Sequence, residues 1–127
     1  MFVGTITNWV SVVGQNIPFV TELNTNTKIN NNSGLIGLKR GGYWNVDASM
    51  TLTGVDDDVI VSLFADGVEK VTTYAEATVT AAGFTTVSLT DAIRTVLSQT
   101  DDVATIALRV DTAGVTVNGK IRVEYVQ

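Results

Sequence analysis

Tyr43-Trp44-Asn45-Val46-Asp47-Ala48-Ser49-Met50-Thr51-Leu52 is apolar at every second residue. Successive side chains of a strand point to opposite faces, so Trp44, Val46, Ala48, Met50 and Leu52 share one side and form a core row. Tyr43, Asn45, Asp47, Ser49 and Thr51 share the other side. Tyr43 is therefore placed to meet a neighbouring subunit, a second sheet or solvent. The same period runs through Ile106, Leu108 and Val110, and again through Ile121, Val123 and Tyr125. Residues 59–64 are more continuously apolar, which suits a strand covered on both faces. The predicted subunit core contains Trp44, Val46, Met50, Val61, Leu63, Ile106, Leu108, Ile121, Val123 and Tyr125.

Turn signals separate these runs. Gly41-Gly42, Ala82-Gly83 and Ala113-Gly114 supply residues tolerant of positive φ, and Asp66-Gly67 and Asn118-Gly119 read as tight hairpin turns. The Asn- and Thr-rich stretch 24–33 reads as the most loop-like part of the chain. Many short strands with frequent turns, rich in Val and Thr, predict an all-β sandwich or barrel. One segment departs from the period. Ile93, Val96 and Leu97 stand at i, i+3 and i+4 behind Thr90 or Asp91 as a cap, which predicts a short helical turn over 91–98. No internal repeat, heptad or linker divides the 127 residues, so a single domain over 1–127 is expected.

Composition narrows the function. Charged residues make up 17% of the chain, below the roughly 25% typical of soluble domains, and such a surface favours association. The net charge is −5, and only Lys39-Arg40 places two bases side by side. Binding to nucleic acid or to anionic lipid needs clustered bases, so neither is expected. The N-terminus has no basic region followed by a long apolar core, so no secretory signal is expected, and no apolar run is long enough for a membrane span.

The chain has no His and no Cys. The commonest general base, the commonest transition-metal ligand and all thiol chemistry are absent with them. Glycosidase chemistry would need one buried carboxyl beside an ionised one. Most acids here stand beside turn residues or on polar strand faces, open to water. Asp56-Asp57-Asp58 is the densest acidic cluster, and acidic loops can hold calcium through several oxygens. Its spacing matches no calcium loop, so it reads as a solvated turn, as does Asp101-Asp102. The expectation is a chain with no cofactor, no metal and no catalytic site.

The ordered motifs resemble the C1q/TNF-like family of trimeric jelly rolls. Gly14-Gln15-Asn16-Ile17-Pro18-Phe19 looks like that family's first strand, and Leu35 to Leu52 looks like a strand pair carrying its G-x-Y-x-V motif as Gly42-Tyr43-Trp44-Asn45-Val46. Val61-Ser62-Leu63-Phe64-Ala65-Asp66-Gly67 resembles its V-x-L-x-x-N-G hairpin. Thr100-Asp101-Asp102-Val103 resembles the approach to its penultimate strand, and Asn118-Gly119-Lys120-Ile121 the start of its closing strand. Trp44 replaces the usual Tyr, and the stretch 90–100 is longer than usual, so no ligand residues carry over.

The resemblance implies a jelly-roll β-sandwich of the ten-stranded type, usually trimeric, with apolar side chains of one sheet lining the three-fold axis. Members serve as extracellular ligands, spore-surface heads and phage virion proteins. The missing cysteines and signal peptide, with Asn/Thr-rich loops, fit the last. The implied role is a non-catalytic virion subunit: a homotrimeric head-fibre, capsid-decoration or fibre-tip domain. Its partners would be its own copies, other virion proteins and a host-surface glycan or protein. Candidate interface residues are Tyr43, Phe64, Phe84 and Val126, which are apolar or aromatic and out of phase with the core rows or near turns. The rival reading is a monomeric carbohydrate-binding β-sandwich, which would present a platform of exposed aromatics.

Overall fold

The computed structural model describes residues 1–97 and 103–127. Strands β1 (Phe2–Val10), β2 (Val20–Asn24), β3 (Ile29–Asn32), β4 (Leu35–Leu38) and β5 (Gly42–Thr53) are followed by β6 (Asp57–Ala65), β7 (Val68–Val79), β8 (Thr85–Thr95), β9 (Ala104–Val110) and β10 (Thr116–Tyr125). They form two five-stranded antiparallel sheets, ordered β2-β1-β10-β5-β8 and β3-β4-β9-β6-β7. Chain neighbours such as β4 and β5 lie in opposite sheets, so the chain rolls back and forth across the sandwich. This is the jelly-roll architecture.

Alternation along β5 fixes the inner face of the first sheet. Trp44, Val46, Ala48, Met50 and Leu52 are buried, and the residues between them are not. Val61, Leu63, Ile106 and Leu108 face them from the second sheet, and Ile121 and Val123 flank them on β10. Tyr125 is half-buried and packs edge-on against Trp44, with ring centroids 4.8 Å apart. The indole N–H of Trp44 donates to the Arg40 carbonyl and to Thr95 Oγ1, at 3.1 and 3.2 Å, and Thr95 Oγ1 donates to the same carbonyl at 2.6 Å. One buried side chain thus ties the β4–β5 crossing to the end of β8.

Several expectations need correction. Residues 91–95 are strand, not helix. β8 pairs with β5 from Thr85↔Leu52 to Thr95↔Gly42, with Ile93 buried and Val96 78% exposed. Long-range pairing of β8 with the tryptophan strand outweighs the local helical spacing; residue 98 lies outside the described residues. Gly14 to Phe19 forms no strand of its own. Asn16 bridges to Arg109, the Ile17 N–H donates to the Leu108 carbonyl at 2.8 Å, and Ile17 and Phe19 plug the core. The first strand is β1. Leu35 to Leu52 holds two strands that do not pair, since β4 and β5 belong to different sheets.

The Asn-rich stretch is only partly loop, because residues 29–32 form β3. Its Asn side chains serve local turns: Asn24 and Asn26 accept backbone N–H groups two residues on, and Asn31 accepts from Gly34. Asp66-Gly67 is the two-residue hairpin expected, with φ of 51° and 78°. Asn118-Gly119 is not a turn but lies within β10. There Asn118 Oδ1 accepts the Asn8 N–H at 2.8 Å, holding a bulge in β1. A Cβ on Gly119 would overlap the Ser49 carbonyl oxygen and stand 2.7 Å from Met50 Cα. The glycine is required by close approach of β5, not by chain reversal.

Because that approach is backbone against backbone, Gly119→Ala should destabilise the fold by roughly 2–4 kcal/mol. In urea titrations the midpoint should fall with the slope unchanged.

Candidate assembly surface

The outer face of the β2-β1-β10-β5-β8 sheet follows from the same alternation. Pairing sets Val3, Arg122, Asp47 and Thr90 in one row across it, and Thr5, Lys120, Ser49 and Ser88 in the next. Outward residues of β5 and β8 are mostly short: Asn45, Ser49, Thr51, Thr86, Ser88, Thr90 and Ala92. Lys120 and Arg122 stand taller beside them. Short side chains next to long ones leave a depression of about 570 Å³, bordered by Val3, Ser49, Ser88, Thr90, Lys120 and Arg122. Lys120 pairs with Glu22 at 3.4 Å and Arg122 with Glu124 at 3.1 Å, both at exposed positions where such pairs contribute little.

The four candidate interface residues do not form one patch. Tyr43 and Val126 are brought together: the Val126 N–H donates to the Tyr43 carbonyl at 2.8 Å, and both lie on this outer face, exposed. Phe64 is on the other sheet, half-buried beneath the Arg109 guanidinium, 4.3 Å from its ring centroid. That guanidinium also donates to Asn16 Oδ1 at 2.8 Å, which covers the outer side of β6. Phe84, 76% exposed, lies between β7 and β8 at the far end of the sandwich from Tyr43. Sequence reasoning missed the depression. The signal was available in the small size, not the polarity, of the residues alternating with the core rows of β5 and β8.

At the edge joining β7 to β8, Asp91 sits between Lys70 and Thr73. Its Oδ2 pairs with Lys70 Nζ at 2.6 Å and accepts from Thr73 Oγ1 at 2.6 Å. Burial alone would raise the carboxyl's pKa. Hydrogen bonds from Lys70 and Thr73, the Lys70 charge and the Ala92 N–H outweigh it, so the pKa lies below the ordinary 3.8. The 56–58 cluster is not the turn expected, since Asp57 and Asp58 open β6 in register with Val79 and Thr78 of β7, and its acids act as fasteners. Asp56 accepts the Ala81 N–H, Asp57 the Asp58 N–H, and Asp58 the Thr78 hydroxyl. Among the described residues no three acids are grouped to hold a metal ion, and no helix is long and apolar enough to cross a membrane. Asp101-Asp102 lies outside the described residues.

No protein-family model matches the chain, and neither does any curated protein. Solved structures do match. The globular domain of zebrafish complement 1qA is 8% identical with a TM-score of 0.78, covering 99% of this chain and 96% of that one. Murine APRIL is 10% identical with a TM-score of 0.64, covering 95% and 98%. PRD1 vertex protein P5 is 14% identical with a TM-score of 0.58, covering 94% and 93%. At these identities the likeness establishes the fold. The chain has a C1q/TNF-like jelly-roll fold along nearly its whole length.

Removing the carboxylate with Asp91→Asn should cost about 1–2 kcal/mol at pH 7. The folded pKa is depressed, so this contribution is complete above the unfolded value of 3.8 and disappears as pH falls through the lower folded value. Thermal melts of wild type and variant should therefore converge in that acidic range and differ above it.

Proposed function

We propose that the protein is a non-catalytic structural subunit of a virion, a homotrimeric jelly roll of the head-fibre, capsid-decoration or fibre-tip kind. The carrying observation is the recessed outer face of the β2-β1-β10-β5-β8 sheet, on a fold shared end to end with complement 1qA, APRIL and a vertex protein. Short side chains let a second surface approach a sheet closely, and Asp47, Lys120 and Arg122 bring charge of both signs into the depression. The resemblance in sequence motifs supplies the three-fold symmetry, and the likeness to PRD1 vertex protein P5 supports the virion setting.

Tyr43 and Val126 extend the same face towards the Gly42 end of β5, and belong to the interface in this reading. Phe64, capped by Arg109, would contribute through the guanidinium rather than the ring. Phe84 stands at the opposite end, where it is placed for another virion protein or a host-surface glycan or protein. A monomeric carbohydrate-binding role is less well supported. The exposed aromatics Tyr43, Tyr74 and Phe84 lie on β5, on β7 of the other sheet and in a loop, and build no platform.

Sedimentation at micromolar concentration should give three times the 13.5 kDa chain mass. A monomer would overturn the trimer. Tyr43→Asp should abolish assembly while keeping the β circular-dichroism spectrum, because an unpaired charge at a dry interface is costly. Glycan-array binding by a monomer would favour the rival role.

A further inference from the structure

The outer face of the β3-β4-β9-β6-β7 sheet carries polar chemistry that assembly does not use. Pairing sets Arg109, Ser62 and Tyr74 in one row across β9, β6 and β7, and Ala107, Phe64 and Glu69 in the next. Ser62 and Ala107 are short and stand between taller neighbours. A cavity of about 220 Å³ opens beside them, with Val13, Ser62, Phe64, Glu69, Arg109 and Asp111 in its wall. Ser62 is only 5% exposed, so the surface it keeps is the floor of this cavity. The turn closed by the Gln15 N–H on the Val12 carbonyl, at 3.1 Å, brings Val13 to the rim.

The charged groups of the cavity are held in place but not used on each other. Arg109 donates from Nε to Asn16 Oδ1 at 2.8 Å and lies over the Phe64 ring, 4.3 Å from its centroid. Both contacts fix the plane of the guanidinium. Its terminal N–H groups have no acceptor among the described residues, and neither Glu69 nor Asp111 forms an ion pair with it. Asp111 is fixed too, because its Oδ1 accepts the Ile60 N–H and the Thr112 hydroxyl, each at 2.9 Å. Opposite charges that line one cavity without closing on each other leave a gap between preset donors and preset acceptors.

We infer that this cavity binds one neutral pyranose ring of a glycan, a site that rests on the virion reading above and gives its host-surface glycan a place and a class. Adjacent sugar hydroxyls both accept and donate. The Arg109 fork gives hydrogens to two neighbouring oxygens, and Glu69, Asp111 and Ser62 take the hydroxyl hydrogens. Phe64 and Val13 offer apolar contact to the ring carbons. Two carboxylates against one guanidinium, on a chain of net charge −5, disfavour sialylated or sulfated sugars, and Arg109 repels a cation. The volume is below the roughly 300–1,000 Å³ of drug-sized sites, which suits a single ring. Groups already held lose little freedom on binding. The Arg109 guanidinium is then spent on a ligand rather than on a second copy of the chain. The cavity lies on the sheet opposite the assembly face, so every subunit of a trimer keeps its site, and a surface dense in the sugar engages several at once.

Saturation-transfer NMR tests the site with the methyl glycosides of glucose, galactose, mannose and N-acetylglucosamine, and with those of sialic acid and a sulfated glucose as acidic probes. At least one neutral glycoside should receive saturation, and neither acidic one should. Arg109→Lys keeps the charge and loses the fork; Glu69→Ala removes a carboxylate at an exposed position. Each should weaken the neutral sugar roughly 10- to 100-fold while keeping the β spectrum and the sedimentation mass of wild type. The site is wrong if no neutral glycoside binds, if the acidic ones bind as well, or if either variant binds like wild type. It is also wrong if Arg109→Lys loses assembly, since the guanidinium would then serve the interface. A monomer whose sugar binding both variants weaken would remove the trimer and leave the site standing. A trimer that binds no neutral sugar would do the reverse.

Discussion

Trp44 is fully buried, and its indole carries a single polar hydrogen that must find an acceptor inside the protein. The Arg40 carbonyl and the Thr95 hydroxyl supply it, and neither belongs to Trp44's own strand. The ring cannot be sealed unless the β4–β5 crossing lies above it and the last residue of β8 lies beside it. Tyr125 closes the remaining side, held by the Arg40 guanidinium 4.1 Å from its ring centroid and by its own hydrogen bond to the Gly41 carbonyl. Register along β5 follows from this anchor. With Trp44 inward, every alternate residue to Leu52 is inward, and a slip by one residue would turn the whole set to water.

That register also determines the outer face. Asn45, Ser49 and Thr51 face outward because Val46, Ala48, Met50 and Leu52 face inward, and paired strands bring Ser88, Thr90, Lys120 and Arg122 alongside them. The recess is thus a by-product of core packing combined with side-chain length. The opposite sheet shows another solution. There Arg109 lies over Phe64, and Asn16 holds Arg109 in place, so outward apolar surface on β6 is already covered within the subunit.

Much of this architecture was legible in the chain. Alternation in β5, β9 and β10 located the core residues, and Asp66-Gly67 located one hairpin, because both signals are local. The failures share a cause. Ile93, Val96 and Leu97 have helical spacing, yet eleven residues of β8 pair with β5, which no local window contains. Asn118-Gly119 has turn chemistry, yet it serves a bulge in β1 and a close approach of β5. Gly14 to Phe19 has strand-like residues, but Ile17 and Phe19 are spent as plugs. For the surface, polarity was visible in the sequence, but the depression depends on which short side chains become neighbours across strands. The β6–β7 pairing likewise shifts register between Ser62 and Phe64, which spacing alone does not reveal.

The place of β10 has a consequence for how the chain is made. Of the ten strands it leaves the ribosome last, yet it occupies the middle of its sheet, between β1 and β5. Until it emerges, β1 and β5 each present an unpaired edge, and Phe2, Trp44 and Val46 lack part of their cover. The nascent protein can fold the β3-β4-β9-β6-β7 sheet earlier, but the sandwich closes only once β10 has emerged. Edges left open for that interval invite pairing with other nascent chains. Polysome crowding and premature termination should therefore be the main sources of misassembled material for this fold, with chaperone protection mattering most just before β10 appears.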